Sequence, residues 1–74
     1  MTEQEIKDKV LKDYMSRYNR TEDSCYPTTV HKSQKGNYVV TRYYKRSSWS
    51  DSEKEHEVIY ASNGEFRTVA YGKK

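Results

Sequence analysis

His56-Glu57-Val58-Ile59-Tyr60-Ala61-Ser62-Asn63-Gly64-Glu65-Phe66-Arg67-Thr68-Val69-Ala70-Tyr71 is the stretch that decides the fold. β-Branched and aromatic residues flank Asn63-Gly64, a dipeptide that accepts the positive φ angles of a tight turn. The segment therefore reads as a hairpin with strands at 56–62 and 65–71. Its register has two solutions. A two-residue loop puts Ile59, Ala61, Phe66 and Ala70 on one face, whereas a three-residue loop with Gly64 left-handed groups Val58, Tyr60, Phe66 and Ala70.

Upstream, residues 38–46 hold Tyr38, Val39, Val40, Thr41, Tyr43 and Tyr44 around Arg42, the strongest strand signal in the chain. Tyr38, Val40 and Tyr44 point one way, Val39 and Tyr43 the other. Residues 28–34 are β-compatible but weakly apolar and read as a short or edge strand, joined to the next by a turn at Lys35-Gly36-Asn37. Residues 47–55 are rich in Ser and acids and read as a loop carrying Trp49. Residues 19–27 have no period, and Pro27 disfavours helix at Tyr26, so they read as a linker. Before them, Ile6, Val10, Leu11, Tyr14, Met15 and Tyr18 recur at helical spacing, and Thr2 with Glu5 fits a capping box. A helix is predicted over 3–18.

The expected fold is α+β, one domain over residues 1–74, with the N-terminal helix on one face of a three- to four-stranded antiparallel sheet spanning 28–71. A helix of about 16 residues is about 24 Å long and covers only one face. Rings then remain on the other.

Composition narrows the function classes. Leu, Ile, Val and Phe total only ten of 74 residues, but eight Tyr with Trp49 and Phe66 supply large apolar areas. So short a chain offers no deep substrate cleft. No stretch approaches the length of a membrane helix, and the charged N-terminus has no apolar run behind it, so no membrane association and a cytoplasmic location are expected. Residues 1–27 carry five basic and six acidic side chains, while residues 28–74 carry nine and five. Lys32, Lys35, Arg42, Lys45 and Arg46 follow one another with no acid among them.

The chemistry-bearing residues do not assemble into a reaction site. Cys25 with His31 or His56 would make a thiolate and base pair only if something oriented them, and the sequence shows neither an orienting group nor an oxyanion loop. One Cys and two His lack the paired spacing of zinc ligands, and Asp51, Glu53, Glu55 and Glu57 lack the glycine of a calcium loop. They read as a solvated acidic connection. No phosphate-cradling glycine loop occurs. No enzyme activity, metal or cofactor is expected.

Two binding readings survive. Aromatic and Arg side chains, the types enriched at protein contacts, concentrate on the sheet. Tyr38, Arg42, Tyr43, Tyr44, Trp49, Tyr60, Arg67 and Tyr71 are the candidate contact residues, with about half of the rings expected under the helix. A protein partner, or a second copy of the chain in a homodimer, fits this surface. The alternative is single-stranded nucleic acid, with rings stacking on bases and Arg42, Lys45, Arg46 and Arg67 meeting phosphates.

The order of a helix, a polar strand, Gly36-Asn37-Tyr38-Val39-Val40, a loop and Glu57-Val58-Ile59-Tyr60-Ala61-Ser62-Asn63-Gly64-Glu65-Phe66-Arg67-Thr68-Val69 resembles the layout of PepSY-type modules, over roughly residues 28–71. That resemblance implies a binding or inhibitory module, and a secreted or membrane-attached setting.

Overall fold

Helix α1, Glu3–Arg17, starts where the sequence supplies both halves of a capping box. The Glu5 amide donates to Thr2 Oγ1 at 3.2 Å, and the Thr2 amide donates to Glu5 Oε1 at 3.1 Å. Two orphan donors of the first turn are thereby satisfied, an arrangement with a stabilisation of about 1 kcal/mol. Acid-before-base pairs line the exposed side, with Glu3 to Lys7 at 3.4 Å and Asp13 to Arg17 at 3.0 Å. At the other end Asn19 takes φ 52, a left-handed conformation that Asn tolerates. The Arg20 amide then reaches Met15 O at 2.7 Å and the Asn19 amide reaches Ser16 O at 3.3 Å, which closes the helix as a Schellman motif.

The computed structural model describes residues 2–45 and 52–72. After α1 the chain runs through β1 (Thr28–Lys32), β2 (Tyr38–Lys45), β3 (Ser52–Tyr60) and β4 (Phe66–Tyr71). These form one antiparallel sheet in the order β1-β2-β3-β4, so the expected α+β architecture is observed. Among the described residues, no helix is long and apolar enough to cross a membrane.

Both described hairpins close in the same way. The Ser33 amide donates to Asn37 O and the Gly36 amide to Ser33 O, and the Ala61 amide donates to Glu65 O and the Gly64 amide to Ala61 O. Gly36 and Gly64 sit at φ 88 and 89. The three-residue loop is therefore the solution chosen at Asn63-Gly64, with the glycine rather than the asparagine left-handed. A bulge between Ile59 and Tyr60 then sets Tyr60 opposite Phe66, and another sets Val58 opposite Val69. The core face of β4 thus carries Val69, not Ala70, because each bulge shifts the alternation by one residue.

Several boundaries differ from the sequence expectation: β1 ends at Lys32 rather than 34 and β3 at Tyr60 rather than 62, and two further differences bear on the site. Glu53, Lys54 and Glu55 belong to β3 rather than to a loop. Glu53 and Lys54 pair with β2, where Tyr44 opposes Glu53 and Tyr43 opposes Lys54, and Glu55 is carried between Lys54 and His56, so ladder bonds to the strongest strand override their polar composition. The end of the linker, after a turn at 23–26, also bonds to the sheet. The Tyr43 amide donates to Pro27 O and the Lys45 amide to Cys25 O, both at 2.9 Å, so residues 25–27 run on beside β2.

The core lies between α1 and one face of the sheet. Val10 and Tyr14 of the helix meet Tyr38, Val40, Val58 and Tyr60, all buried, with Ile6, Met15, Val30, Phe66 and Val69 packed around them. Each buried Val contributes about 1.5–3 kcal/mol by leaving water. The tyrosines need polar partners as well. Tyr60 supplies one by donating to Asp13 Oδ2 at 2.6 Å, an oxygen that also accepts from Arg17 Nε at 3.0 Å. Arg17 in turn lies over the Phe66 ring, 4.2 Å from its centroid. One carboxylate so ties the helix to the β3–β4 hairpin.

That contact carries a pH signature. Burial, aided by the negative Asp13, holds the Tyr60 phenol well above its ordinary value of 10.0. Burial alone would raise Asp13, but the Tyr60 hydroxyl and the Arg17 guanidinium outweigh it and hold the carboxyl below 3.8. The Tyr60 contribution to stability is therefore complete below pH 10.0 and is lost as pH rises towards the raised value. The Asp13 contribution is present above pH 3.8 and is lost as pH falls through the lowered value. Urea unfolding across pH should show both limbs. Tyr60→Phe is expected to make the alkaline limb shallower, and an unchanged limb would refute the assignment.

Candidate functional site

The register sorts the candidate residues onto two faces. Residues opposite one another share a face, so Thr28, Val30, Tyr38, Val40, Arg42, His56, Val58, Tyr60, Phe66 and Val69 lie on the helix side. Thr29, His31, Val39, Thr41, Tyr43, Lys54, Glu57, Ile59, Thr68 and Tyr71 lie on the other. Among the described residues no element covers that second face.

Three candidate contact residues are thereby corrected. Tyr38 and Tyr60 are core, and Arg42 is only 5% exposed on the helix side, so none of them is available to a partner on the open face. The reason is the side taken by α1, which packs its Val10 and Tyr14 against the Tyr38 and Val40 face. Tyr44 also lies on the helix side but beyond the helix end, 42% exposed and 5.2 Å from the Tyr26 ring. Tyr43 is half-buried and Tyr71 is 51% exposed, both on the open face. Arg67 is exposed near the hairpin tip, where Nη1 lies 3.5 Å from Asn37 Oδ1. Trp49 falls outside the described residues, as does Arg46.

The centre of the open face is a half-buried pair, Val39 opposite Ile59. Beside it runs a polar strip across β2, β3 and β4. Thr41 Oγ1 is 3.5 Å from Glu57 Oε2, Lys54 Nζ is 3.6 Å from the same oxygen, and Lys54 lies 5.5 Å from the centroid of the Tyr71 ring. The strip orients Tyr71 and satisfies its charges internally. What remains to offer a partner is the Val39 and Ile59 pair with the Tyr43 and Tyr71 rings, flanked by the exposed Thr29, His31 and Thr68.

At the far end of the helix side, a second cluster forms that the sequence did not reveal. A bulge between Arg42 and Tyr43 leaves Glu55 as an extra residue in β3, next to His56. Glu55 Oε2 lies 3.1 Å from Arg42 Nε and Oε1 lies 3.7 Å from Arg20 Nη2. Arg42 stacks over the Tyr26 ring at 4.4 Å. His56, 3% exposed, has Nδ1 2.7 Å from Tyr14 Oη in a buried hydrogen bond, and the Tyr18 ring meets it edge-on at 4.8 Å. Burial raises the Tyr14 and Tyr18 phenols above their ordinary value.

Cys25 is exposed in the linker turn and its amide donates to Asp23 Oδ1. Among the described residues no group of His, Cys, Asp and Glu could hold a metal ion. The chain matches no known protein family, no curated protein and no solved structure.

Proposed function

We propose that this protein is a non-enzymatic protein-binding module, a small regulator or inhibitor of a larger protein, that docks through the open face of its sheet. The carrying observation is the uncovered face itself, where Val39, Tyr43, Ile59 and Tyr71 sit together opposite the helix. Contiguous exposed apolar and aromatic area marks contact sites, and Tyr is a residue type enriched in binding hot spots. The resemblance to PepSY-type modules points to the same class. A second copy of the chain is one partner that fits, face to face.

Single-stranded nucleic acid draws less support. Arg42, the cation between the rings of β2, is buried on the opposite face and paired with Glu55. Tyr44, the ring paired with it in that reading, is on the helix side as well.

Photo-crosslinking tests the proposal. A benzophenone side chain placed at position 59 or 71 is expected to give discrete protein adducts in the source cell, including a product of twice the chain mass if the dimer forms. The same probe at Lys12, on the exposed helix face, is the control. Equal labelling from Lys12, or none from 59 and 71, would remove the open face from the function.

A further inference from the structure

We propose that the hollow between the end of α1, the bulge of β3 and the end of β4 binds a single oxyanion group, carboxylate or phosphate. The hollow has a volume of about 540 Å³ and is lined by Arg20, Glu55, His56, Tyr71 and Gly72. It lies at the end of the sheet, and of its lining only Tyr71 belongs to the open face.

Charge is the first argument. Two guanidinium groups, Arg20 and Arg42, flank the one carboxylate of Glu55. Arg42, almost wholly removed from water, takes the nearer contact with Glu55 at 3.1 Å, so the positive charge left over is that of Arg20, held at 3.7 Å at the rim of the hollow. An added anion would give this cation a counter-ion of its own.

Hydrogen bonding is the second. Among the described residues Nε of Arg20 and Nη1 of Arg42 are buried without a hydrogen-bond partner, while Nε of Arg42 has Glu55 Oε2 at 3.1 Å but out of line. Buried donors without acceptors are rare in folded proteins and each is destabilising. Glu55 cannot serve them all, since it already spans both guanidiniums with its two oxygens and Oε2 itself is poorly aligned. The planar fork of Arg matches carboxylate and phosphate oxygens, so an entering oxyanion would meet Arg20, which lines the hollow, and compete with Glu55 for it.

Construction of the wall is the third. The β3 bulge turns Glu55 and the next residue, His56, towards the same side, which an unbroken strand cannot do. Gly72 closes the opposite wall at φ 96, where an added Cβ would fall 2.7 Å from the Glu55 carbonyl oxygen. Only glycine lets the chain approach β3 this closely while adding no side chain to the hollow.

Titration of the full-length protein with inorganic phosphate, acetate and chloride at matched ionic strength, followed by nitrogen NMR, tests this. Saturable shifts of the Arg20 Nε–H and of the His56 and Gly72 amides are expected with phosphate or acetate and not with chloride, and the two oxyanion arms show which is preferred. Arg20→Gln should weaken binding about tenfold by removing a charge-assisted contact. Glu55→Gln should tighten it, because the competing carboxylate is gone; a cluster that merely braces the fold gives no such gain. Arg20, with a side chain about one-third exposed, keeps the test intact if Glu55→Gln does not fold. Linear shifts alike in all three salts, or saturable shifts unchanged by Arg20→Gln, overturn the site.

Discussion

Tyr14→Ala is expected to lose most of the folded population. Tyr14 is fully buried between the helix and the sheet, and truncating a buried aromatic ring costs about 3–5 kcal/mol. A domain of this length rarely commands more than about 3–5 kcal/mol in total. The variant also takes away the hydroxyl that His56 Nδ1 meets at 2.7 Å, so a buried imidazole loses that bond as well. Tyr14→Phe separates the two effects. It keeps the ring contacts with Tyr18 and His56 and should cost only about 1–2 kcal/mol. Urea unfolding followed by circular dichroism gives both values, and a loss under about 1 kcal/mol for the alanine variant would show that the core is not centred on this ring.

The second large effect is expected at Arg42. Arg42→Ala leaves Glu55 in the β3 bulge with Arg20 at 3.7 Å as its remaining cation, and it empties the space over the Tyr26 ring. Removing one member of a buried ion pair typically costs about 3–5 kcal/mol, and the lost stacking adds to it. The penalty belongs to the broken pair rather than to any net gain from having one. Arg42→Met combined with Glu55→Leu should therefore recover most of the stability, since apolar replacement of a whole buried pair is often neutral. If the double variant is as unstable as Arg42→Ala, the guanidinium acts through packing and the ion pair is incidental.

How far the sequence was legible differs from element to element. The helix could be read in full, because its signals are local: Thr2 and Glu5 at the start, an apolar stripe at helical spacing, and acid-before-base pairs outside. The hairpin around Asn63-Gly64 was legible in existence and not in register, since both loop lengths suit the dipeptide and the bulges at Arg67 and Ala70 depend on what packs beneath them. Residues 52–55 resisted for a different reason. Ser52, Glu53, Lys54 and Glu55 have no strand propensity of their own; the first three are held in β3 by pairing with Lys45, Tyr44 and Tyr43, and Glu55 is carried along as the bulge before His56.

The candidate site divides along the same line. That one face would stay uncovered followed from a single helix set against a sheet with rings on both sides. Which face it would be turned on Tyr14 reaching His56 and Tyr60 reaching Asp13, contacts 42 and 47 residues apart that no window of sequence exposes. Arg42 is the telling case. Ahead of Tyr43 and Tyr44 it reads as a surface cation, and only the position of Glu55 in the β3 bulge explains how it can be buried. Arg20 carried no signal at all until the Schellman turn brought it to the same carboxylate.

The strand order β1-β2-β3-β4 has a kinetic meaning. Each strand bonds to the one made just before it, so every ladder closes as a hairpin and no strand must wait for a distant stretch of chain to arrive. Closing a loop of a few residues takes tens of nanoseconds and hairpins form in about 1–10 μs. Proteins dominated by such short-range pairings fold orders of magnitude faster than sandwiches of similar stability. The slow event is then the docking of the helix, which must bring Tyr14 and Asp13 across more than half the chain to His56 and Tyr60. A meander without its helix would show apolar rings on both faces, and the shorter that interval, the fewer encounters another chain has with its unprotected edges.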